Sequence, residues 1–241
     1  MQQADIGLVF GAWRYRIAGD RLERDLPLFD MLNVRYYLSS RQAPLRTNSS
    51  LAKLGSLDLD LYESRRVWPR AFFTNKVISC GDDRDLVGLL HNSDGTPFAA
   101  VQPEDIAGRP ELYALSNILP PATQTVPATD YALTANSTTF KVSAPGPGVI
   151  VLSETFVPGD FTVRVNNTPV PYFRINSVFK GVFVDNAGSY FVSFTYWPRF
   201  FTATLYLSGL ATGLLVIWLI ATAKSNRATA APQQATASSS I

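Results

Sequence analysis

The stretch from Thr139 to Phe156, TFKVSAPGPGVIVLSETF, decides the fold class. Phe140, Val142 and Ala144 alternate with Lys141 and Ser143, which is the period of a strand with one buried face. Pro145-Gly146-Pro147-Gly148 reads as a turn, and Val149–Leu152 as a continuous apolar strand. Further on, Phe161–Val165 and Val170–Ile175 flank Asn166-Asn167, residues that tolerate the left-handed backbone of a hairpin turn. Val178–Val184 predicts another strand, and Asp185–Gly188 a turn. Tyr190, Val192, Phe194 and Tyr196 line one face of a last strand. Short strands at roughly ten-residue spacing predict an antiparallel β-sandwich, jelly-roll-like, over residues 129–198.

Upstream, residues 1–128 read as a mixed α/β segment, so the whole is of the α+β class. Asp25–Leu32 predicts a short amphipathic helix and Val34–Leu38 a strand. Ser39–Ser50 reads as a loop. Leu57, Leu59 and Leu61 alternate with Asp58, Asp60 and Tyr62, so the leucines are expected to form the buried face of a strand. Val67–Val77 reads as a strand with Pro69 at an edge or bulge. Asp82, Asp83 and Asp85 precede Leu86, Val87, Leu89 and Leu90, the arrangement of a helix N-terminus. Pro103 and Pro110 are expected in connecting turns. Pro120, Pro121 and Pro127 mark the expected boundary between the two regions.

Downstream, the 24 residues Phe200–Ala223, FFTATLYLSGLATGLLVIWLIATA, carry no charge. A helix of that length reaches roughly 36 Å, enough for a hydrocarbon core about 30 Å thick. Trp197, Phe200, Phe201 and Tyr206 form an aromatic belt at its start, with Trp218 near its end. Gly209 and Gly213 make a GxxxG pair and are candidates for close packing against another helix. Residues 224–241 are small and polar and read as a disordered tail. Lys224 and Arg227 on one side against Arg199 on the other favour a cytoplasmic tail and an extracytoplasmic folded part, in a cell membrane crossed once. The first residues have no apolar core of a signal peptide. Two arrangements therefore stay open: a tail-anchored protein facing the cytosol, or the end of a polytopic chain whose upstream helices export the folded part.

Of the 241 residues, 21 are Lys or Arg and 19 are Asp or Glu, a balance that argues against nucleic acid as a partner. One cysteine, Cys80, and one histidine, His91, exclude an intrachain disulfide and a Cys/His zinc site. No cofactor and no metal is expected, and no residue stands out as catalytic. Asp58, Asp60 and Glu63 read as a solvated strand face, Asp82, Asp83 and Asp85 as helix capping, His91 as a surface side chain and Cys80 as buried. Trp13, Trp68 and Trp197 are aromatic candidates for stacking on sugars, with Trp68 more simply core and Trp197 more simply a membrane-belt residue. Asn48, Asn136 and Asn166 each begin an N-x-Ser/Thr triplet.

Several of these segments follow a familiar order: MLNVRYYLS (31–39), WPRAFF (68–73), VLSETFVPGDFTVRVNNTPVPYFRIN (151–176), FKGVFV (179–184) and AGSYFVSFTYWP (187–198), ending in a membrane helix. The order resembles the C-terminal region of bacterial YfhO-like polytopic membrane proteins, a family related to the GT-C glycosyltransferases. The chain departs from that family in placing Asp160 between Pro158-Gly159 and Phe161, and in having Asn-Asn at its hairpin turn. The resemblance implies an extracytoplasmic module and last membrane helix serving envelope glycosylation, that is, sugar transfer from a lipid-linked donor. The family's membrane domain, with its acidic catalytic residue, has no counterpart in this sequence. The implied role is therefore accessory or acceptor-binding. Implied partners are the lipid bilayer, an upstream polytopic membrane domain or partner chain, and a glycan or polyprenyl-phosphate sugar. Arg35, Tyr36 and Arg70 lie in the family-like segments and are the candidate substrate-binding residues, since guanidinium binds phosphate bidentately. The competing expectation for the arginines is an ion pair between β elements. The alternative function is a tail-anchored, non-catalytic membrane interaction protein.

Overall fold

A computed structural model describes residues 19–117 and 123–229. Trp13 and the end of the expected tail lie outside these residues. Helix α1 (Gly19–Met31) packs on a three-stranded antiparallel sheet of β1 (Tyr36–Ser40), β2 (Leu51–Ser56) and β3 (Leu59–Ser64), with β3 in the centre. Leu22 and Leu26 of the helix bury against Leu51 and Tyr62, and the Phe29 ring meets Tyr37 edge-on at 6.2 Å.

The strand over residues 59–64 forms as expected, but its phase is reversed. Asp60, Tyr62 and Ser64 face the helix and are buried, whereas Leu57 is 84% exposed and Leu59 is exposed too. Polar partners on the inner side account for the reversal. Asp60 accepts from Lys53 Nζ at 2.8 Å and from Ser56 Oγ at 2.6 Å, and the Ser64 hydroxyl donates to Asp30. The solvated-face reading of Asp58, Asp60 and Glu63 is thus corrected for Asp60.

The next residues build β4 (Ala71–Thr74), β5 (Val77–Ser79), α2 (Asp83–Asn92), β6 (Ala99–Val101), α3 (Pro103–Ile106) and α4 (Pro110–Asn117). The acidic run caps α2 as expected. The Asp82 carboxylate accepts from the amides of Arg84 (2.8 Å) and Asp85 (3.0 Å), and Asp85 accepts from Gly81 N at 2.9 Å. Pro103 and Pro110 begin helices instead of sitting in turns. A proline tolerates the first helical position because the amide there has no acceptor to lose.

The remaining strands are β7 (Thr125–Pro127), β8 (Thr129–Leu133), β9 (Ser137–Ala144), β10 (Gly148–Thr155), β11 (Phe161–Val165), β12 (Thr168–Pro169), β13 (Phe173–Ile175), β14 (Phe179–Val184) and β15 (Gly188–Tyr196). Together with β4 they form two five-stranded antiparallel sheets, ordered β13-β14-β10-β4-β7 and β12-β11-β15-β9-β8. Between the sheets lies an apolar core that includes Phe73, Phe140, Ile150, Leu152, Val182, Val192 and Phe194. The outer face of the first sheet buries Phe72, Val149, Val151 and Ile175 against α2, α4, β6 and the end of α1. Val149–Leu152 is continuously apolar because that strand is covered on both sides. The α+β class and the sandwich stand.

A division at residue 128 does not separate the sandwich from the first region. β4 sits between β10 and β7, pairing Phe73 with Ile150 and Val126, because its alternate side chains serve both cores. Pro127 is tolerated on the edge strand β7. The turn at Asn166-Asn167 is present, with φ of 49° and 66°, but it joins β11 to a two-residue β12 only. The chain then leaves for the other sheet as β13. The Pro-Gly turn likewise carries the chain from one sheet to the other. It needs glycine at its end, since a Cβ at Gly148 would lie 2.7 Å from the Thr74 carbonyl oxygen.

The described residues divide into two units after Tyr196. The second contains α5 (Phe201–Thr229), whose stretch Phe201–Lys224 is long and apolar enough to cross a membrane. Its apolar side chains are exposed, Leu207 and Ile217 among them, which is not how a soluble core helix is built. At its start Trp197 donates to Thr202 Oγ1 at 2.8 Å and meets Phe201 edge-on at 4.9 Å. The helix runs five residues past Lys224, so residues 225–229 are helical where a disordered tail is expected.

Candidate functional site

Lys180 is the least expected side chain of the sandwich. It shares the inward face of β14 with Val182 and Val184 and is 1% exposed. A buried ammonium needs a counter-charge and a shaped surround. Glu154, at the end of β10, supplies the charge, with Oε2 accepting from Lys180 Nζ at 3.0 Å. The Phe161 ring supplies the surround, with Nζ 3.6 Å from its centroid.

The same carboxylate binds three further donors through Oε1: the Tyr131 hydroxyl and Thr138 Oγ1, each at 2.9 Å, and Arg70 Nη2 at 3.5 Å. Burial pushes the Glu154 pKa up. The Lys180 charge and the donated hydrogen bonds outweigh that effect and hold it below its ordinary value. Burial depresses the Lys180 pKa, and Glu154 offsets part of that. Burial and the bond to Glu154 raise that of Tyr131. A carboxylate with its lone pairs so fully engaged is an anchor for cations and not a poised general acid.

Arg70 stands at the rim. Its side chain is 47% exposed and lies over the Tyr131 ring at 5.4 Å. Among the described residues its guanidinium makes one long hydrogen bond, to Glu154, out of five available donors. It lines an open cleft of about 450 Å³ together with Ser153, Glu154 and Thr155 on the polar side and Leu32 and Val34 on the apolar side. Arg70 and Glu154 are the charged groups lining the cleft, and because Glu154 is already neutralised by the buried Lys180, the Arg70 guanidinium keeps most of its donors free. A volume in this range suits a small ligand. The arrangement fits an anionic group attached to an apolar tail, and it holds no second free carboxylate for acid–base chemistry.

The structure does not bring the three candidate binding residues together. Arg70 lines the cleft, where it forms the expected ion pair between β elements as well. Arg35 is exposed, and Tyr36 lies on the outer face of the three-stranded sheet opposite Glu63. It is Val34 that reaches the cleft. Lys180 and Glu154 escaped the sequence reading, although a lone lysine in the apolar run FKGVFV demands a buried acid and is a usable signal.

The other candidates have structural roles. Trp68 is core, edge-on to Phe98 at 5.1 Å. His91 is exposed and hydrogen-bonds the Arg24 carbonyl through Nε2 at 2.8 Å. Burial, then the field of Asp85, Asp83, Asp105 and Asp82, push the Cys80 thiol up to about 11, far from a reactive thiolate. Among the described residues no three His, Cys, Asp or Glu side chains converge as a metal site. Gly209 and Gly213 are open: a Cβ at either meets nothing within 4 Å. A second cleft of about 650 Å³, near Ile106, Arg109 and Tyr113, is mostly apolar.

Comparison of the chain with protein-family models, with curated proteins and with solved structures finds no match.

Proposed function

We propose that this chain is the membrane-anchored terminal module of a YfhO-like membrane protein. Its folded part lies outside the cell membrane and holds the phosphate of a lipid-linked sugar or an acidic acceptor glycan, without catalysing transfer. The observation that carries this reading is the half-exposed Arg70 guanidinium at the rim of a cleft with an apolar wall, beside a Glu154 carboxylate already engaged by the buried Lys180. The sequence motifs supply the link to envelope glycosylation, and the apolar helix supplies the anchor.

Binding is tested with the full chain in nanodiscs, titrated calorimetrically with farnesyl phosphate. Arg70→Ala should weaken binding about tenfold or more, the cost of one charge-assisted phosphate contact, with the melting temperature little changed. Equal affinity in the variant would remove the phosphate role. Side is tested separately by labelling intact cells with an impermeant thiol reagent, using Ser49→Cys in an exposed loop and Ser238→Cys in the tail. Labelling at position 49 alone supports the proposal. Labelling at position 238 alone identifies a tail-anchored, non-catalytic interaction protein with a cytosolic domain. Gly209→Leu with Gly213→Leu tests the partner domain. Neither site is crowded within this chain, so reduced recovery of a membrane complex would report packing against another helix.

A further inference from the structure

The three-stranded sheet turns its apolar face outward. Tyr36 and Leu38 of β1 and Leu59 and Leu61 of β3 share that face by register, with Leu38 opposite Leu61. Leu54 projects at the irregularity in β2, and Leu57 at the hairpin tip is 84% exposed. Leu38, Leu54 and Leu59 are each about half exposed or more. A contiguous exposed apolar face of this kind marks an interaction surface. Residues 35–66 around it carry six Lys or Arg against three Asp or Glu. One of those acids, Asp60, is already paired internally with Lys53.

We infer that this face docks on the membrane surface itself, with the leucines and Tyr36 in the boundary between headgroups and acyl chains of anionic lipids. Protruding leucines and a tyrosine on a segment of net positive charge match that boundary in polarity and in overall sign, with Glu63 the acid that shares the face opposite Tyr36. Only four residues, 197–200, join the last strand to the apolar helix. The folded unit is thus held beside the bilayer at high effective concentration, and a patch too weak to recruit a free protein suffices. This inference rests on the reading of α5 as a membrane anchor.

The full chain, with Leu57→Cys or Leu38→Cys carrying a polarity-sensitive fluorophore, is reconstituted into phosphatidylcholine vesicles with or without phosphatidylglycerol. Both positions are exposed, so folding is preserved, and the buried Cys80 thiol is a poor target for the label. Brominated lipid should quench both labels, with a clear loss of quenching when phosphatidylglycerol is omitted or salt is raised. A label at Ser189, exposed at the start of β15, should be quenched much less. Labels that stay accessible to aqueous iodide overturn the proposal. So do labels shielded from both water and bromolipid, which would mean a protein cover: residues 1–18, a second copy or another subunit. Alkaline carbonate extraction separates the two readings. A chain released by carbonate fails the anchor reading, whereas a retained chain with aqueous labels fails the docking alone.

Discussion

The molecule contains two β systems with opposite organisation. The five-stranded sheets enclose Phe140, Leu152, Val192 and Phe194 and put Lys141 and Ser143 outside. The three-stranded sheet encloses Asp60, Tyr62 and Ser64 and puts Leu38, Leu57 and Leu59 outside. Each solution closes its own ledger of polar groups. In the sandwich the inward-facing Lys180 is matched by Glu154. In the small sheet a set of hydroxyls, one lysine and two carboxylates satisfy one another under α1. The contrast teaches that alternation fixes the period of a strand, while the better-satisfied phase decides which side turns in.

The largest effect that tests this contrast is in the sandwich core. Phe194→Ala should cost about 4 kcal/mol, because a fully buried ring leaves a cavity that rigid strands cannot fill. Thermal unfolding followed by circular dichroism reads this as a drop in Tm of about 2–4 °C per kcal/mol. A change of only a degree or two would show that the interior is not close-packed.

Next is the polar plug. Glu154→Gln leaves Lys180 buried without its counter-ion and should cost about 3 kcal/mol at neutral pH. The folded-state pKa of Glu154 lies below its ordinary 4.5. Its stabilisation is therefore complete above pH 4.5 and disappears as pH falls through the lower folded value. Urea midpoints measured across that acid range should decline more steeply for the wild type than for Glu154→Gln. Parallel declines would mean that the pair contributes nothing to acid sensitivity.

Smaller is Tyr62→Phe in the three-stranded sheet. The hydroxyl accepts from Leu45 N at 3.1 Å and lies 3.4 Å from Asp60. Its removal should cost about 1 kcal/mol in chemical denaturation, the worth of one buried hydrogen bond. No change would show that the inner face of that sheet is held by packing alone. The smallest effect is expected at Leu59→Ser on the outer face, within about 0.5 kcal/mol. A core-sized loss there would break the comparison, because it would show that the leucine phase is covered after all.

Much of this was legible in the residues. The cap at Asp82, the left-handed pair Asn166-Asn167, the strand over 140–144 and the apolar helix from residue 201 each follow from side chains a few positions apart. Arg70 was singled out because it lies in a family-like segment and its guanidinium can bind phosphate, and the structure puts it on a cleft. The lone Lys180 in an apolar run signals a buried acid, but Glu154 lies 26 residues away and is not identified as that acid until two strands pair. Arg35 and Tyr36 adjoin Val34 in sequence, yet only Val34 meets the cleft, a matter of strand direction.

The sequence by itself therefore determined, apart from the helices that begin at Pro103 and Pro110, many of the elements, their periods, the cap at Asp82 and the presence of one membrane-length helix. These depend on local backbone preferences and on hydrophobic spacing within one or two turns. Tertiary structure alone decided which face of β3 is buried, that β4 joins the sandwich, and that one lysine inside it meets one glutamate. Those outcomes depend on partners far along the chain, where the gain from satisfying a buried carboxylate or covering both faces of a strand outweighs any local pattern.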